Sequence, residues 1–158
     1  MDNDNYQQRL ESAKTICARG EKCADDIYKK NRKWQLSDDE INQIIKILKK
    51  EGFIDHQRYA KAFANDKLNF NHWGRNKIKY GLINKGIEKQ FIDEALENLD
   101  ENVYAEILKQ EIDKKLKSLT NKDNHKNKQR IIQYLLQKGF EYGKVFEFIE
   151  KRMEKDND

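Results

Sequence analysis

The sequence predicts an all-α protein of three tandem three-helix repeats in an elongated, curved array, and three observations carry that prediction. None of the 158 residues is proline and only seven are glycine, so the residues that punctuate β-sandwiches and proline-rich linkers are scarce. Helix start and stop signals recur along the chain. Apolar positions also superimpose when the chain is slid by about 50 residues, the signature of a repeat architecture.

The first repeat, residues 4–52, opens with a short apolar segment around Ala13 and Ile16. Its middle helix carries Ile27 with Lys29, Lys30, Arg32 and Lys33. Its third helix is the best signalled. Ser37 is the N-cap, Glu40 completes a capping box, and Leu36 is placed to staple against Ile41. That helix is predicted to begin at Asp38, present Ile41, Ile44, Ile45 and Leu48 on one face, and stop near Glu51 and Gly52.

The second repeat, residues 53–98, begins with Tyr59, Ala60 and Phe63. It continues through a middle helix with Ile78 and Leu82 that stops at Lys85-Gly86, and it closes on Ile87, Ile92 and Leu96. The third, residues 99–155, starts from a Leu99-Asp100 cap and staple before Tyr104, Ala105 and Leu108. Its middle helix holds Ile131, Leu135 and Leu136 and stops at Lys138-Gly139; Phe140, Val145 and Ile149 follow.

A slide of 53 residues lays Gly86 on Gly139, Ile78 on Ile131, Leu82 on Leu135 and Ile92 on Val145. A slide of 51 lays Ile27 on Ile78, Leu36 on Ile87 and Ile41 on Ile92, with Asn31 at the place of Leu82 and Gln35 at the place of Gly86. A unit of this size buries little alone, so neighbouring repeats are expected to share a core. The hydrophobic share of 37% fits a thin core spread along the chain.

The net charge of +4 conceals opposed blocks. Residues 66–89 carry six cations against two acids, and residues 90–113 eight acids against Lys109 alone. Residues 114–130 carry seven cations, Lys122 among them, against Asp123. Each middle helix is the basic one of its repeat: Arg75, Lys77, Lys79 and Lys85 in the second, Lys126, Lys128, Arg130 and Lys138 in the third. A stripe of basic helices suits an extended polyanion or an acidic surface on a protein assembly; solvated helix faces are the plain alternative.

Other classes are disfavoured. No apolar run reaches the roughly 18 residues of a membrane span, and the start of the chain is polar, so a cytoplasmic protein is expected. Cys17 and Cys23 make neither a C-x-x-C motif nor a disulfide framework and read as small packed residues. His56, His72 and His125 stand singly, so no metal and no cofactor are expected. No G-x-S-x-G and no phosphate-cradling glycine loop is present, and the expectation is that the chain is not an enzyme.

The ordered series Gly52-Phe53-Ile54-Asp55, Arg58-Tyr59-Ala60 with Phe63, Trp73-Gly74-Arg75 with Lys77-Ile78, Leu82, Lys85-Gly86-Ile87, Ile92 and Ala95-Leu96 resembles the core signature of the RecX family of bacterial recombination regulators. The stretch Cys17-Ala18-Arg19-Gly20-Glu21-Lys22-Cys23, with Trp34 and Leu36-Ser37, is similar to the first repeat of one branch of that family. Asn31 and Gln35 depart from it, where leucine and glycine are usual.

The resemblance implies a regulator without catalytic activity, acting in DNA repair, homologous recombination and the SOS response. Such proteins lodge in the groove of the RecA filament on single-stranded DNA and usually suppress its recombinase, ATPase and co-protease activities. A monomer is expected, with Arg58, Trp73, Arg75, Lys77, Lys79, Lys85, Lys126, Lys128 and Arg130 as partner-binding candidates. Arg58 is equally placed to pair within the chain, with Asp55 or Asp66, and Trp73 to staple the entry to the second basic helix or to stack on a base. Direct nucleic-acid binding by the basic helices is the competing function, and a helical scaffold for other partners a third.

Overall fold

The computed structural model describes residues 3–119 and 123–156; Lys122 lies outside them. Among the described residues the chain is all-α, with nine helices in three successive triplets. The first is α1 (Asn3–Arg19), α2 (Ala24–Arg32) and α3 (Asp38–Lys50). The second is α4 (His56–Asn71), α5 (Arg75–Asn84) and α6 (Lys89–Glu97), and the third α7 (Glu101–Ser118), α8 (Asn124–Gln137) and α9 (Tyr142–Asp156).

The caps are where local chemistry puts them. Ser37 Oγ accepts from the Glu40 amide at 3.2 Å while Glu40 Oε1 accepts from the Ser37 amide at 3.1 Å. Leu36 and Ile41 are both buried, as a staple requires. Asp100 caps α7 through the amides of Asn102 and Val103 at 2.8 and 3.0 Å. Asp123 caps α8 in the same way through His125 and Lys126.

Gly52, Gly86 and Gly139 end helices with φ of 79°, 73° and 94°. The next amides return to carbonyls five residues back, Phe53 to Leu48, Ile87 to Leu82 and Phe140 to Leu135. The equivalent place in the first repeat is filled by Gln35, which holds the same left-handed turn at φ 60°. The turn is therefore kept without glycine, at a cost of about 1 kcal/mol. Asn31 is buried at the position of Leu82, its Nδ2 donating to the Ile27 carbonyl at 2.9 Å.

The chain divides into two compact units, residues 1–62 with 82–94 and residues 63–81 with 95–158, a division that passes within α4, α5 and α6. In the first unit, α1 and α2 pack on α3. Leu10, Ala13, Ile27, Leu36, Ile41, Ile44, Leu48 and Ile54 form its core. In the second unit α7, α8 and α9 pack pairwise around Tyr104, Leu108, Ile131, Leu135, Phe140 and Val145, all fully buried.

Within that second unit, the start of α5 docks directly on the turn after α8. The Gly74 amide donates to the Lys138 carbonyl at 2.7 Å and the Asn76 amide to the Gly139 carbonyl at 2.9 Å. These bonds satisfy donors that a helix start otherwise leaves open. A Cβ on Gly74 would lie 2.3 Å from the Phe140 nitrogen, and one on Gly139 would lie 2.4 Å from the Lys77 Cβ. Gly139 thus serves both the helix stop and a close backbone approach.

Candidate interaction surface

In the second unit the basic residues of α5 and α8 sort into two kinds. Lys77 and Lys79 on α5 and Lys126 and Arg130 on α8 are exposed, and none has an ion pair among the described residues. Tyr80 is also exposed on α5. Lys77 lies 4.6 Å and Lys67 4.8 Å from the Trp73 ring, while Phe63 meets the indole edge-on at 6.4 Å. Trp73 is half-buried, held in place by this packing and by its amide bond to the Lys67 carbonyl at 3.0 Å.

Arg75 is a correction to the surface reading. Its side chain is only 15% exposed, because it joins three elements of the unit. Nε donates to the Leu96 carbonyl near the end of α6 at 3.2 Å, Nη1 meets Glu141 at 3.3 Å, and Nη2 pairs with Glu101. The guanidinium also lies 4.2 Å from the Tyr104 ring centroid. Tyr104 accepts from the Arg75 amide at 3.0 Å and donates to Glu141. Burial, with Glu141 beside it, pushes the Tyr104 hydroxyl up, so it stays a neutral donor. Lys128 is likewise occupied, paired with Glu150 and 5.2 Å from the Phe146 ring.

In the first unit Arg58 is tied down internally. It pairs with Glu21, stands 4.0 Å from Asp55, and donates to the Gly52 carbonyl at 3.1 Å. The partner is chiefly Glu21, 37 positions away in the sequence. Lys85 pairs with Asp26 at 2.7 Å, a bond that raises its ammonium pKa. Asp26 in turn accepts from the amide and the thiol of Cys23 at 3.1 and 3.3 Å. Burial pushes that carboxyl up, but Lys85 and Cys23 outweigh it and hold the pKa below the ordinary value.

Two histidines passed over in the sequence turn out to be buried or half-buried connectors. His56 accepts from the Ala24 amide at the start of α2 and meets Glu88 through Nδ1 at 2.9 Å, which fixes its neutral form as the Nδ1–H tautomer. In the second unit Glu111 is 2% exposed, with His72 Nδ1 at 2.5 Å, the Tyr134 hydroxyl at 2.7 Å and Lys138 Nζ at 4.0 Å. Burial raises the Glu111 pKa, yet the bonds from Tyr134 and His72 prevail and lower it overall. Tyr134 is pushed up to about 12 by burial and by Glu111. Glu111 was legible from its register, since it follows Tyr104, Ile107 and Leu108 on the buried face of α7.

Among the described residues no group of three or more His, Cys, Asp or Glu side chains could hold a metal ion, and no helix is long and apolar enough to cross a membrane.

Comparison with known proteins gives a consistent result. Residues 55–96 match the family model for the second three-helix domain of RecX, and residues 102–149 the model for the third. A regulatory protein RecX of Clostridium beijerinckii is 33% identical over 159 aligned residues, covering 99% of this chain and 74% of the relative. A crystal structure of a regulatory protein RecX superimposes with a TM-score of 0.83 at 26% identity, over 94% of this chain and 72% of that one. The crystal structure of RecX from Lactobacillus salivarius gives 0.81 at 22% identity, over 94% and 96%, and bears on the fold alone.

Proposed function

The chain belongs to the RecX family of regulatory proteins, and from that premise we propose that it binds the RecA filament on single-stranded DNA and inhibits its recombinase, ATPase and co-protease activities without a catalytic step of its own. The observation that supports this reading most is the set of exposed cations in the second unit that have no ion pair among the described residues, Lys77, Lys79, Lys126 and Arg130. Exposed charges that no carboxylate of the fold neutralises are available to an acidic partner. The same reading divides the chain into repeats 4–52, 53–98 and 99–155.

Each exposed cation contributes little alone, so affinity comes from several contacts made together and weakens with salt. Arg75 and Lys128 in the second unit and Arg58 and Lys85 in the first are left out of the contact set in this view, because their charges are already paired within their own units. The test is co-sedimentation with RecA filaments on single-stranded DNA at rising salt. Binding at low salt that Lys77→Glu with Lys79→Glu weakens about tenfold or more, with helicity intact, supports the reading. Absence of co-sedimentation at low salt and stoichiometric protein overturns it.

A further inference from the structure

The exposed side of the α8–α9 hairpin in the second unit is nearly free of charge, and the reading above leaves it unused. The chain as a whole is 38% charged, yet residues 131–146 hold only Lys138, Glu141 and Lys144. Each of the three is engaged within the unit: Lys138 by the Asn71 carbonyl at 3.0 Å, Glu141 by Arg75 and Tyr104, and Lys144 by Glu101 at 2.9 Å. What this stretch shows to solvent is therefore apolar or neutral. Tyr142 is 62%, Phe146 44% and Leu136 39% exposed. Gln133 and Gln137 are also exposed, and their side chains make no hydrogen bond among the described residues.

One contact fixes how these groups lie together. Lys128 on α8 pairs with Glu150 on α9 and stands 5.2 Å from the Phe146 ring. From that pin Ile132 and Leu136 follow at four-residue steps along α8, while Phe146 and Tyr142 precede Glu150 at four-residue steps along α9. The helices pack on each other across the turn at Gly139, so the two rows run side by side. Ile132 is buried, and the Tyr142 and Phe146 rings stack at 6.3 Å. Lys128 shields part of Phe146 but does not close the patch, since Glu150 neutralises it and no cation stands over Tyr142 among the described residues. On α8 the exposed side continues from Leu136 through Gln133 to Arg130 and Lys126 at three- and four-residue steps. The patch thus adjoins the exposed cations of the same unit.

We propose that this face is the apolar part of the interface with the RecA filament, and that it takes an uncharged, apolar-faced segment of the filament protein, not the DNA strand; the proposal rests on the filament-binding reading above. A nucleic-acid contact is strongly cationic, and residues 131–146 supply no unpaired cation. Protein interfaces instead centre on aromatic and aliphatic side chains and keep charge at the rim. That is the order along this face, with Leu136 and the two aromatics together and Arg130 and Lys126 at the edge. A second copy of the chain is the poorer occupant. With about 150–250 Å² for a whole aromatic side chain, the three exposed groups present on the order of 300 Å², against about 800 Å² per partner in a stable complex.

The experiment is co-sedimentation of the full chain with RecA filaments on single-stranded DNA from about 50 mM to about 200 mM salt, comparing the wild type with Tyr142→Ser plus Phe146→Ser. Salt does not screen apolar contact, so the double variant is expected to bind about tenfold or more weakly at every salt concentration, with the slope of log K against log salt unchanged. Lys77→Glu with Lys79→Glu flattens that slope instead. Phe146→Leu keeps apolar surface and retains most of the affinity. Leu136→Gln, on the neighbouring helix, acts in the same direction as the double variant and carries the test should that variant lose its far-UV circular dichroism. Absence of wild-type co-sedimentation overturns the filament-binding reading and this proposal with it. Wild-type binding that the folded patch variants leave within about twofold overturns the proposal alone. So does an equal loss of binding to labelled oligothymidylate without RecA, which assigns the face to the strand. A wild-type dimer in sedimentation equilibrium that the double variant abolishes overturns it as well, assigning the face to a second copy.

Discussion

Gly74→Ala tests the close docking of the start of α5 on the turn after α8. The new Cβ would stand 2.3 Å from the Phe140 nitrogen and 2.4 and 2.5 Å from the Gly139 carbonyl carbon and oxygen. All three are backbone atoms, so no side-chain rotation relieves the clash, and the two segments must separate by about 1 Å to restore ordinary contact. Separation lengthens the Gly74–Lys138 and Asn76–Gly139 hydrogen bonds, now 2.7 and 2.9 Å, each contributing about 1 kcal/mol net. It also displaces Phe140, which is fully buried against Tyr104 with ring centroids 5.5 Å apart, and strain of this kind in a packed core costs about 1–3 kcal/mol. The sum is a loss of about 3–5 kcal/mol, a large fraction of a typical domain's stability. Urea unfolding followed by far-UV circular dichroism measures it, with Gly20→Ala as control, since nothing lies within 4 Å of a Cβ built there. A loss below about 1 kcal/mol for Gly74→Ala would refute the close-approach argument.

Other substitutions probe separate steps. Arg75→Ala removes the guanidinium that serves Leu96, Glu101 and Glu141 and is expected to destabilise by about 2–4 kcal/mol in the same unfolding assay; a change within about 0.5 kcal/mol would return Arg75 to the surface. Gln35→Gly relieves a left-handed residue and is expected to stabilise by about 0.5–1 kcal/mol, and destabilisation would show that the Gln35 side chain contributes to the turn. Glu111 has a folded pKa below its ordinary value, so the stability it contributes is present above the unfolded pKa and lost as pH falls through the folded one. Urea midpoints are therefore expected to drop on acidification below about pH 4.5, and Glu111→Gln to make that drop shallower; an identical acid limb in the variant would remove Glu111 from the account.

Much of the fold was legible because its signals are local. Ser37 with Glu40, Asp100 with its staple and the Lys-Gly helix ends depend on neighbours within a few residues, and the structure places the caps and stops there. The left-handed turn at Gln35 was the least readable of these, since glycine is the usual marker and the register of the repeat was the only sign of it.

The partners of charged residues were far less legible, because they are set by elements distant in sequence. Arg75 meets Glu141 across 66 positions and Arg58 meets Glu21 across 37. A count of cations along a helix cannot tell a free lysine such as Lys79 from a paired one such as Lys85. Glu111 disappears into the acidic count of residues 90–113, although its place among Tyr104, Ile107, Leu108 and Ile112 puts it on the apolar face. His56 carried no local signal at all, since its bonds to Ala24 and Glu88 each span 32 positions.

The most direct measurement of the central claim is the ATPase rate of RecA filaments on single-stranded DNA, with and without stoichiometric protein at low salt. The account predicts that the wild-type chain suppresses the rate, that Lys77→Glu with Lys79→Glu loses most of that suppression while keeping its helicity, and that added salt weakens suppression by the wild type. An unchanged ATPase rate with the wild-type chain, or full suppression by the charge-reversed variant, would contradict it.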